Sequence, residues 1–529
     1  MVDTNCEILS TIFIPITSIY KQFNHINMKY LSSIFIIFLS TSLFSQSLTD
    51  AVRYSDLQTI GTARTAGVGG SFGAMGGDFG SLLINPAGMG DFYKSEFNFG
   101  FALNRINNTS RVVRPNSIMG SNGTRIDDTN FNISNIGFVI HRKPRASSLL
   151  TSNFSIGMTQ TKNLSEEFNY SAATVGSITE RFVEVANGNG LNELDPFEGG
   201  VAYDAGAIFD SDSDLNYETD IYDTTTVVLK NQFVERSGKM NEFSLGWAGN
   251  IANVVNVGVV GSIPFVSFEE IKTYKENMGP DAGSINPFNR LEYVESLSTS
   301  GFGLNIKAGA TAKLGKQVRV GLAYHSPSWL RLQDDYYTEM QYEYFNTSDQ
   351  NVTLNSESPD GRFNYLLKTT SRFVASAGTL FSFGDFKGFV NADAEFQNYK
   401  AANFDFTIND NSPSTIDYQQ EVNDDIRGEL TNALSLRLGA ELAYKKFRVR
   451  VGFNGQGSPY LIDDNEFVRK TITGGLGFRG DRFYIDFAAF SFSDVEGYYP
   501  YLVLTDGRNQ LVNKNQNNFK AMFTCGYKI

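Results

Sequence analysis

The amino-acid sequence predicts an all-β protein: a 14-stranded antiparallel transmembrane β-barrel whose lumen is plugged by an N-terminal hatch of short helices and glycine-rich loops. Three observations predict this fold. Apolar and polar side chains alternate through the C-terminal part, short turns alternate with long polar loops, and a glycine-rich segment precedes the first strand. Alternating faces and alternating connection lengths are typical of outer-membrane barrels.

The alternation is clearest in the C-terminal third of the chain. Leu434, Leu436 and Leu438 share one strand face, while Arg437 and Glu441 share the other. Because successive side chains of a strand point to opposite faces, this pattern places one face in lipid and the other in a polar lumen. A soluble β-sandwich would also alternate, but it would not need apolar faces on every strand beside charged ones.

Segments of this kind number about fourteen and are joined by connections of two lengths. They lie near 94–104, 131–142, 151–163, 239–251, 253–270, 293–314, 316–326, 364–382, 384–402, 424–443, 445–455, 469–479, 481–492 and 518–529. Turns such as Gly315-Lys316 are short, whereas the polar loops near 164–238 and 327–363 are long. Several segments exceed the ~9–11 residues that cross a bilayer, so some strands should extend beyond the membrane.

Composition excludes several classes of function. The net charge of −13 argues against a nucleic-acid partner, which requires a basic surface. The two cysteines and three histidines have no zinc-ligand spacing, and we expect neither a metal nor a cofactor. The acidic residues cluster in segments such as 210–214, which we expect to be solvated loops. No stretch after residue 45 has the ~18 consecutive apolar residues of a membrane helix.

The chain divides into four predicted segments. Residues 28–45 have the short positive start and apolar core of a secretory signal peptide, and we expect residues 1–27 to be a non-native upstream extension. Residues 46–93 are the predicted hatch, and residues 94–529 are the predicted barrel. This organisation predicts export to the outer membrane of a Gram-negative cell, where the barrel is monomeric and surrounded by lipid.

The hatch is predicted to be compact and to have little core of its own. We expect Thr49 to cap one short helix, Asp78 to cap a second, and Asn85 to cap a turn that begins at Pro86. Glycines between these turns permit positive φ and close backbone packing. The residues singled out as the hatch motif are Gly69, Gly70, Asp78, Asn85, Pro86, Ala87 and Gly88.

Charged residues on the predicted inner faces form a second candidate group. They are Asp393, Glu395, Arg437, Glu441, Arg448, Arg450 and Asp486. A charge facing lipid costs ~2–4 kcal/mol at the midplane, so all seven should point into the lumen. They form either a salt-bridged wall that holds the hatch or the polar lining of a transport path.

The stretch from Ala63-Arg64 through the glycine-rich run to Asn85-Pro86-Ala87 resembles the hatch of the FadL/TodX family of outer-membrane transporters, in the Bacteroidetes-like branch. The resemblance implies a 14-stranded barrel with an N-terminal hatch, passive uptake of hydrophobic molecules, and lateral exit through a gap in the barrel wall. Barrels with similar N-termini also occur in a Bacteroidetes-type secretion system, where they bind proteins.

The expected function is therefore passive uptake of hydrophobic small molecules such as long-chain fatty acids or hydrocarbons. The alternative is an outer-membrane barrel that binds protein partners in secretion or surface assembly, particularly through loop 164–238. Trp329, Tyr336 and Tyr337 are expected either to line a ligand pocket or to belong to an interfacial belt. No catalytic residue is predicted, because adjacent His325 and Ser326 point to opposite faces of a strand.

Overall fold

The computed structural model describes residues 41–57, 61–113, 123–145, 148–221, 227–278, 287–461, 469–504 and 509–529. The predicted extension, residues 1–27, lies outside the described residues, as do residues 28–40 of the predicted signal peptide. The remaining signal residues, 41–45, belong to the backbone of the first helix.

Nineteen β-strands in the described residues form one antiparallel sheet. They are β1 Glu96–Val113, β2 Thr124–Arg142, β3 Leu149–Asn163, β4 Glu166–Val175, β5 Val227–Ile251, β6 Val255–Met278, β7 Phe288–Leu314, β8 Val318–His325, β9 Trp329–Phe345, β10 Asn351–Glu357, β11 Gly361–Lys368, β12 Arg372–Phe383, β13 Phe386–Asn398, β14 Asn403–Asp405, β15 Asn432–Tyr444, β16 Phe447–Gln456, β17 Arg469–Arg479, β18 Phe483–Tyr498 and β19 Leu511–Lys528. β1 pairs with β19, which closes the sheet into a barrel.

Several of these strands are pieces of one interrupted wall strand. β3 and β4 both pair with β5, and β8 and β9 both pair with β7. β10, β11 and β12 follow one another along β9 and β8, and β14 continues β13. Counted in this way the wall has 14 strands, which confirms the sequence prediction.

The two faces of the wall differ as predicted. On β15 and β16, Leu438 is 54% exposed and Val451 is 59% exposed, while Arg437 and Arg450 are 4% and 2% exposed. The outer surface is therefore apolar and the inner surface polar, as a bilayer requires of a barrel. Among the described residues, no helix combines the length and the hydropathy needed to span a bilayer.

The helices are short and lie mostly before or between strands. They are α1 Thr41–Ser55, α2 Ala63–Gly67, α3 Ser81–Ile84, α4 Thr179–Ala186, α5 Gly199–Asp204 and α6 Pro413–Glu429, with 3₁₀ turns at Pro86–Asp91, Leu191–Glu193 and Tyr399–Ala401. The strand predicted from residue 424 begins instead at Asn432. Residues 424–429 belong to α6, whose N-cap Ser412 accepts a hydrogen bond from the Thr415 N–H.

Strands extend far beyond the membrane on the long-loop side. β5 has 25 residues and β7 has 27, against the ~9–11 that cross a bilayer. The predicted polar loops near 164–238 and 327–363 therefore contain strand segments, including β4 and β9. Strand extension beyond the membrane is confirmed, and the predicted loop bounds are wrong because paired strands continue into them.

The described part of 176–221, here called the cap, covers the long-loop mouth of the barrel. Its Phe182, Ala202 and Ile208 belong to one buried hydrophobic cluster with inward side chains of the surrounding strands, including Tyr274 and Tyr342. Because the cluster includes residues of β1, β4, β5, β6, β7, β9 and β19, the cap closes this part of the mouth with a packed core.

Candidate functional site

The described residues of the hatch lie inside the barrel. None of residues 61–92 is exposed. The Ala63 N–H donates to Thr524 Oγ1 of β19 over 2.9 Å, and on another side of the lumen Thr151 Oγ1 of β3 donates to the Gly90 carbonyl over 2.6 Å. Such contacts tie the hatch to several wall strands, and the predicted plug is confirmed.

The Asn85-Pro86 corner has the predicted geometry. Asn85 has extended φ/ψ, its Oδ1 accepts from the Ala87 N–H at 3.1 Å, and Pro86 begins a 3₁₀ turn. Asn85 Nδ2 also donates to the Gly73 carbonyl over 2.7 Å. The Gly88 carbonyl accepts from the Gly77 N–H at 2.9 Å. This motif therefore joins two parts of the hatch as well as starting a turn.

The first half of the hatch departs partly from prediction. Thr49 lies inside α1, which begins at Thr41, so its predicted role as N-cap is wrong. Asp78 is not itself the N-cap of α3, which is Gly80. Its Oδ1 accepts from the Gly80 N–H at 2.9 Å and from Thr62 Oγ1 at 2.6 Å. Asp78 therefore connects the beginnings of α2 and α3.

The hatch motif does not form one local site. Gly69 and Gly70 have φ of 68° and 75°, a left-handed region that favours glycine, and Gly69 lies against the Phe453 backbone of β16. The Asn85 to Gly88 corner instead lies against the inward glycines Gly258 and Gly309 of β6 and β7. The seven residues therefore span the lumen.

Glycines in the wall are functional residues that the sequence analysis missed. A Cβ added at Gly452 would lie 2.2 Å from the Val68 carbonyl carbon, and one at Gly258 would lie 2.5 Å from that of Pro86. Backbone therefore packs on backbone between wall and hatch. The available signal was glycine at inward positions of strands, where it weakens the strand unless another chain segment approaches closely.

One group of the predicted lumen charges holds the hatch through α2. Arg64 of the hatch donates from Nε and Nη2 to the two Glu441 carboxylate oxygens, both over 3.1 Å. Arg450, whose side chain is fully buried, donates to Glu441 over 2.6 Å and to Asp486 over 2.8 Å. Arg479 donates to Asp486 over 2.8 Å. The result is a continuous buried chain of alternating charges from hatch to wall.

A second group lies beside the hatch on β13 and β15. Arg437 Nη2 donates to Glu395 Oε1 over 2.8 Å, and Arg372 approaches the other Glu395 oxygen at 3.8 Å. Asp393, on the same face, accepts from the hatch N–H groups of Phe72 at 2.9 Å and Gly73 at 3.1 Å. Asp393 therefore holds the hatch backbone directly, while Arg437 and Glu395 pair within the wall.

Arg448 differs from the other six charges. It is half-exposed beside the β15–β16 turn, and its Nη1 donates to the carbonyls of Lys445 and Phe447, both over 2.8 Å. It makes no ion pair within the part of the chain that the structure describes. The expected seven-residue cluster is thus two ion-pair groups, one hatch-bound aspartate and one separate arginine.

The wall is interrupted between β2 and β3. β2 pairs with β3 only from Asn135 to Arg142, whereas it pairs with β1 from residue 124 onward. A register shift in the β1–β2 ladder lies just where the β2–β3 ladder ends. Among the described residues, no ladder joins residues 124–134 of β2 to residues 160–175 of β3 and β4. We call this gap the seam.

The seam exists because β4 stays paired with β5 but turns away from β2 toward the barrel interior. Glu166 of β4 pairs with Lys514 of β19 at 2.6 Å, and the Glu167 carbonyl accepts from Asn108 Nδ2 of β1 at 2.6 Å. Both partners are buried, inward-facing residues of strands on the far side of β2 from β3. β4 can reach them only by bending away from the wall into the lumen.

Asparagines bridge the seam where backbone pairing is missing. Asn163 Nδ2, at the end of β3, donates across the seam to Asn130 Oδ1 of β2 over 3.3 Å. Asn130 Oδ1 also accepts from Asn104 Nδ2 of β1 at 3.0 Å, within the paired β1–β2 ladder. On the outer face of the same stretch, Phe131 and Ile133 are 64% and 56% exposed. The seam is thus bridged by a side-chain hydrogen bond at the level of the apolar outer surface.

A cavity of about 260 Å³ lies beside the hatch, behind the seam. It is lined by Asn104 of β1, by Asn163 at the seam, by α1 of the hatch, and by apolar side chains from several strands. Asp56, at its base, faces Lys162 at 3.5 Å and Arg469 at 3.4 Å. Burial raises the pKa of Asp56, but these two cations outweigh it and hold the value at about 2.

The aromatic residues expected at a pocket are divided between the two faces. Trp329 is 52% exposed on the outer face of β9. Tyr337 shares that face and bonds Glu339 there, so only Tyr336 faces inward. The pocket-lining expectation is therefore wrong for Trp329 and Tyr337, since odd residues of β9 point outward.

His325 has a structural contact with the hatch. It is 2% exposed, and its Nε2 lies 3.1 Å from the Ile84 carbonyl oxygen. Ser326 Oγ instead accepts from the Ile306 N–H at 2.9 Å. The two side chains are thus engaged with different partners.

The acidic segment 210–214 forms an ordered loop in the cap. The carboxylates of Asp210, Asp212 and Asp214 approach within 4.8 Å of one another. Asp210 also accepts hydrogen bonds from the backbone N–H groups of Asp214 and Leu215, both at 3.2 Å. Asp212 and Asp214 are exposed, as expected for a solvated loop.

The molecule is therefore a closed 14-stranded transmembrane β-barrel with a hatch in its lumen and a seam in its wall. No protein-family model matches the sequence, and no curated protein matches it.

Among solved structures, the chain is similar to the Ralstonia pickettii toluene transporter TbuX, with a TM-score of 0.46, 15% identity, and coverage of 88% of this chain and 98% of that one. It is similar to a Pseudomonas aeruginosa FadL homologue, with a TM-score of 0.47, 11% identity, and coverage of 89% and 98%. For the P. putida toluene transporter TodX the TM-score is 0.46, the identity 9%, and the coverage 88% and 98%.

Proposed function

We propose that the protein is an outer-membrane channel for passive uptake of hydrophobic small molecules, such as long-chain fatty acids or hydrocarbons, and that these leave the lumen sideways through the seam. The observation that carries the proposal is the missing β2–β3 ladder beside the cavity. An apolar molecule in the cavity gains free energy by passing into hydrocarbon rather than into water.

The arrangement of the hatch supports this route. Hatch backbone packs directly on wall glycines such as Gly452 and Gly258, and Arg64 ties it to buried charges. Passage straight through to the short-turn side would require breaking these contacts. Among the described residues, the seam is bridged by the hydrogen bond from Asn163 Nδ2 to Asn130 Oδ1. In this proposal the hatch motif and the lumen charges hold the plug, and the cap must move to admit the substrate.

Locking the seam tests the route. In a Cys525→Ser background, Asn130→Cys with Asn163→Cys places two thiols where the side-chain amides now hydrogen-bond, so a disulfide or a short bis-maleimide should join them. Labelled fatty acid uptake by cells should fall at least severalfold on cross-linking, and a reductant should restore it to the disulfide form.

The matched control joins β2 to β3 where they already pair. Phe138→Cys with Ile156→Cys links directly opposite residues of the existing ladder and should leave uptake unchanged. Undiminished uptake through a verified Asn130–Asn163 cross-link would overturn lateral exit. Absence of uptake by the unmodified protein, compared with cells lacking it, would overturn the transport function for that substrate.

The alternative function, protein binding through loop 164–238, finds less support in the contacts. The described residues of this loop bury Phe182 and Ile208 against the barrel, so their apolar surface is already covered. A partner retained by the intact protein and lost on replacing exposed cap residues such as Leu191 would favour this alternative.

A further inference from the structure

The short-turn rim of the barrel carries exposed basic side chains along one arc. They lie in the β2–β3, β15–β16 and β17–β18 turns. The exposed cations of these turns are Arg142, Lys143, Arg145, Lys445, Lys446 and Arg482. Because the whole chain has a net charge of −13, this local excess of positive charge is not a consequence of composition.

The three turns lie along neighbouring strands. The Arg479 N–H donates to the Lys446 carbonyl over 2.8 Å, which joins the end of β17 to the β15–β16 turn. β18 then pairs with β19, and β19 pairs with β1. Just before β1, the Ser95 carbonyl accepts from the Ile529 N–H at 2.9 Å, and Ser95 Oγ accepts from the His141 N–H of β2 at 3.0 Å. The cations therefore follow one continuous stretch of the rim, from β15 round to β3, which we call the basic arc.

Carboxylates near the basic arc leave it positive. Asp481 lies 3.9 Å from Lys446, but both side chains are more than half exposed, and the free energy of such a pair is small. Asp486 points into the lumen, where it accepts from Arg450 over 2.8 Å. The basic arc thus presents its positive charge to the surroundings of the barrel.

The rest of the short-turn rim and the opposite end of the barrel differ from the basic arc. Residues 251–254, in the β5–β6 turn, are uncharged. Beside the β7–β8 turn, Lys313 and Arg319 pair with Asp91 of the hatch at 3.0 and 2.9 Å. At the long-loop end, segment 210–214 and α6 carry exposed carboxylates. The charge of the molecule is therefore polarised, and its positive end lies on the short-turn side of one part of the wall.

Exposed aromatic side chains mark the level of the membrane surface beside the basic arc. Tyr444, Phe447, Phe483 and Tyr527 are all exposed on the outer face, close to the short turns. Such aromatic residues lie at the head-group level of a bilayer. Lys445 directly follows Tyr444, and its Nζ lies 5.2 Å from the centre of that ring. The basic side chains therefore lie at the height of the lipid phosphates.

We propose that the basic arc binds the head groups of anionic phospholipids in the leaflet on the short-turn side, which in an outer-membrane barrel is the periplasmic leaflet. Charge complementarity selects this partner. A phospholipid with a net negative charge is attracted by several cations at once, whereas a zwitterionic lipid has no net charge. The proposal is independent of the uptake function. Because the β2–β3 turn is at the base of the ladder that stops at the seam, the anionic lipids also lie beneath the seam.

Electron spin resonance of spin-labelled lipids tests the proposal with the full-length barrel in phosphatidylcholine vesicles. Phosphatidylglycerol and phosphatidylcholine, labelled at the same chain carbon, are compared for the fraction that the barrel immobilises. The native protein should associate with phosphatidylglycerol about threefold or more over phosphatidylcholine at low salt, because basic residues near the surface attract anionic lipid. In 1 M NaCl the preference should fall toward one, because the screening length drops to ~3 Å.

A triple variant of the basic arc, Lys445→Gln with Lys446→Gln and Arg482→Gln, should reduce the preference for phosphatidylglycerol by half or more. Its association with phosphatidylcholine should be unchanged. Exchanging the same three residues for the other basic type, Lys445→Arg with Lys446→Arg and Arg482→Lys, keeps the charge and should keep the preference.

The matched control removes the same charge from exposed positions at the long-loop end, in Arg111→Gln with Arg125→Gln and Arg427→Gln. It should retain the native preference. Equal losses from the control and the basic-arc variant would overturn the basic arc as the binding site. A preference that survives 1 M NaCl would contradict its electrostatic origin, and equal association of both lipids with the native protein would overturn the proposal outright.

Discussion

Two sides of the same barrel are built on different principles. On the side of β13 to β18, Arg450 links Glu441 to Asp486 in a fully buried ion-pair chain that continues into the hatch. On the side of β2 to β4, the backbone ladder stops and a side-chain hydrogen bond from Asn163 to Asn130 bridges the gap. The free energy of neutral hydrogen bonds is small and that of breaking a buried ion pair is large.

This difference indicates which part of the molecule can move at a low cost in free energy. Opening the seam requires breaking the Asn130–Asn163 hydrogen bond, and both side chains can then bond to water or to neighbouring polar groups. Releasing the hatch requires breaking the Arg64–Glu441 ion pair and separating the hatch backbone from the wall glycines. We therefore expect the seam to open on a much faster timescale than the hatch moves.

The largest effect should follow from removing the centre of the ion-pair chain. Arg450→Met leaves Glu441 and Asp486 buried near each other without the cation between them, which should destabilise the barrel by about 3–5 kcal/mol. Urea unfolding of the protein refolded into lipid vesicles measures the change.

Arg448→Met is the matched control for this variant, because it is two residues away on the same strand face and bonds only backbone carbonyls. Its unfolding midpoint should stay within the error of the native value. Equal losses from the two substitutions would show that the buried chain has no special role on this side.

Gly452→Val should destabilise the barrel less than Arg450→Met, but it should loosen the hatch specifically. The added Cβ would lie 2.2 Å from the Val68 carbonyl carbon and 2.3 Å from the Gly69 nitrogen, so the hatch must shift. Valine suits a strand, and the wall should persist. Hydrogen exchange of the hatch segment 67–89 should rise while that of β15 to β17 stays low.

Gly474→Val provides the control, since a Cβ there meets only the Arg450 carbonyl oxygen, at 3.9 Å, on the outer face. Unchanged exchange in the Gly452 variant would mean that the close backbone contact does not hold the hatch. Raised exchange in both variants would indicate general loosening of the wall instead.

The sequence predicted the strands of the barrel wall more accurately than the hatch and the other segments inside the barrel. The sequence predicts that Arg437 and Arg450 face inward, because successive side chains of a strand point to opposite faces. This alternation depends only on local backbone geometry, and the prediction is confirmed. Arg448 lies apart from the other charges because it is close to the β15–β16 turn. The alternation of side chains predicts which face a residue is on, but not how far along the strand it lies. Thr49 was misplaced as a cap because the helix continues upstream of it.

The seam could not be predicted at all, because it depends on which strands fail to pair. Residues 166–175 alternate as a wall strand does, and only the partners of Glu166 on β19 show that they lie inside the barrel. For Gly452, an inward glycine on a strand is a signal of close approach, but the sequence does not distinguish it from a glycine that merely weakens a strand.

The smallest effect concerns Asp56, which links the hatch to both sides through Lys162 of β3 and Arg469 of β17. Its folded pKa of about 2 lies below the ~3.9 of an unfolded aspartate. The ionised Asp56 carboxylate therefore makes its full contribution to the free energy of unfolding at pH values above the unfolded pKa. That contribution is lost as the pH falls toward 2. Between pH 6 and pH 3 the hatch should lose about 1 kcal/mol from this group.

Hydrogen exchange of residues 46–57 at the two pH values, corrected for intrinsic rates, measures that loss. Asp56→Asn removes the titrating group, so the difference between the native and variant slopes isolates it from other carboxylates. Identical slopes would mean that the hatch is held at this point by packing and not by the charge of Asp56. A slope confined to the native protein would place a pH-sensitive hatch contact at the base of the cavity, away from the buried ion-pair chain.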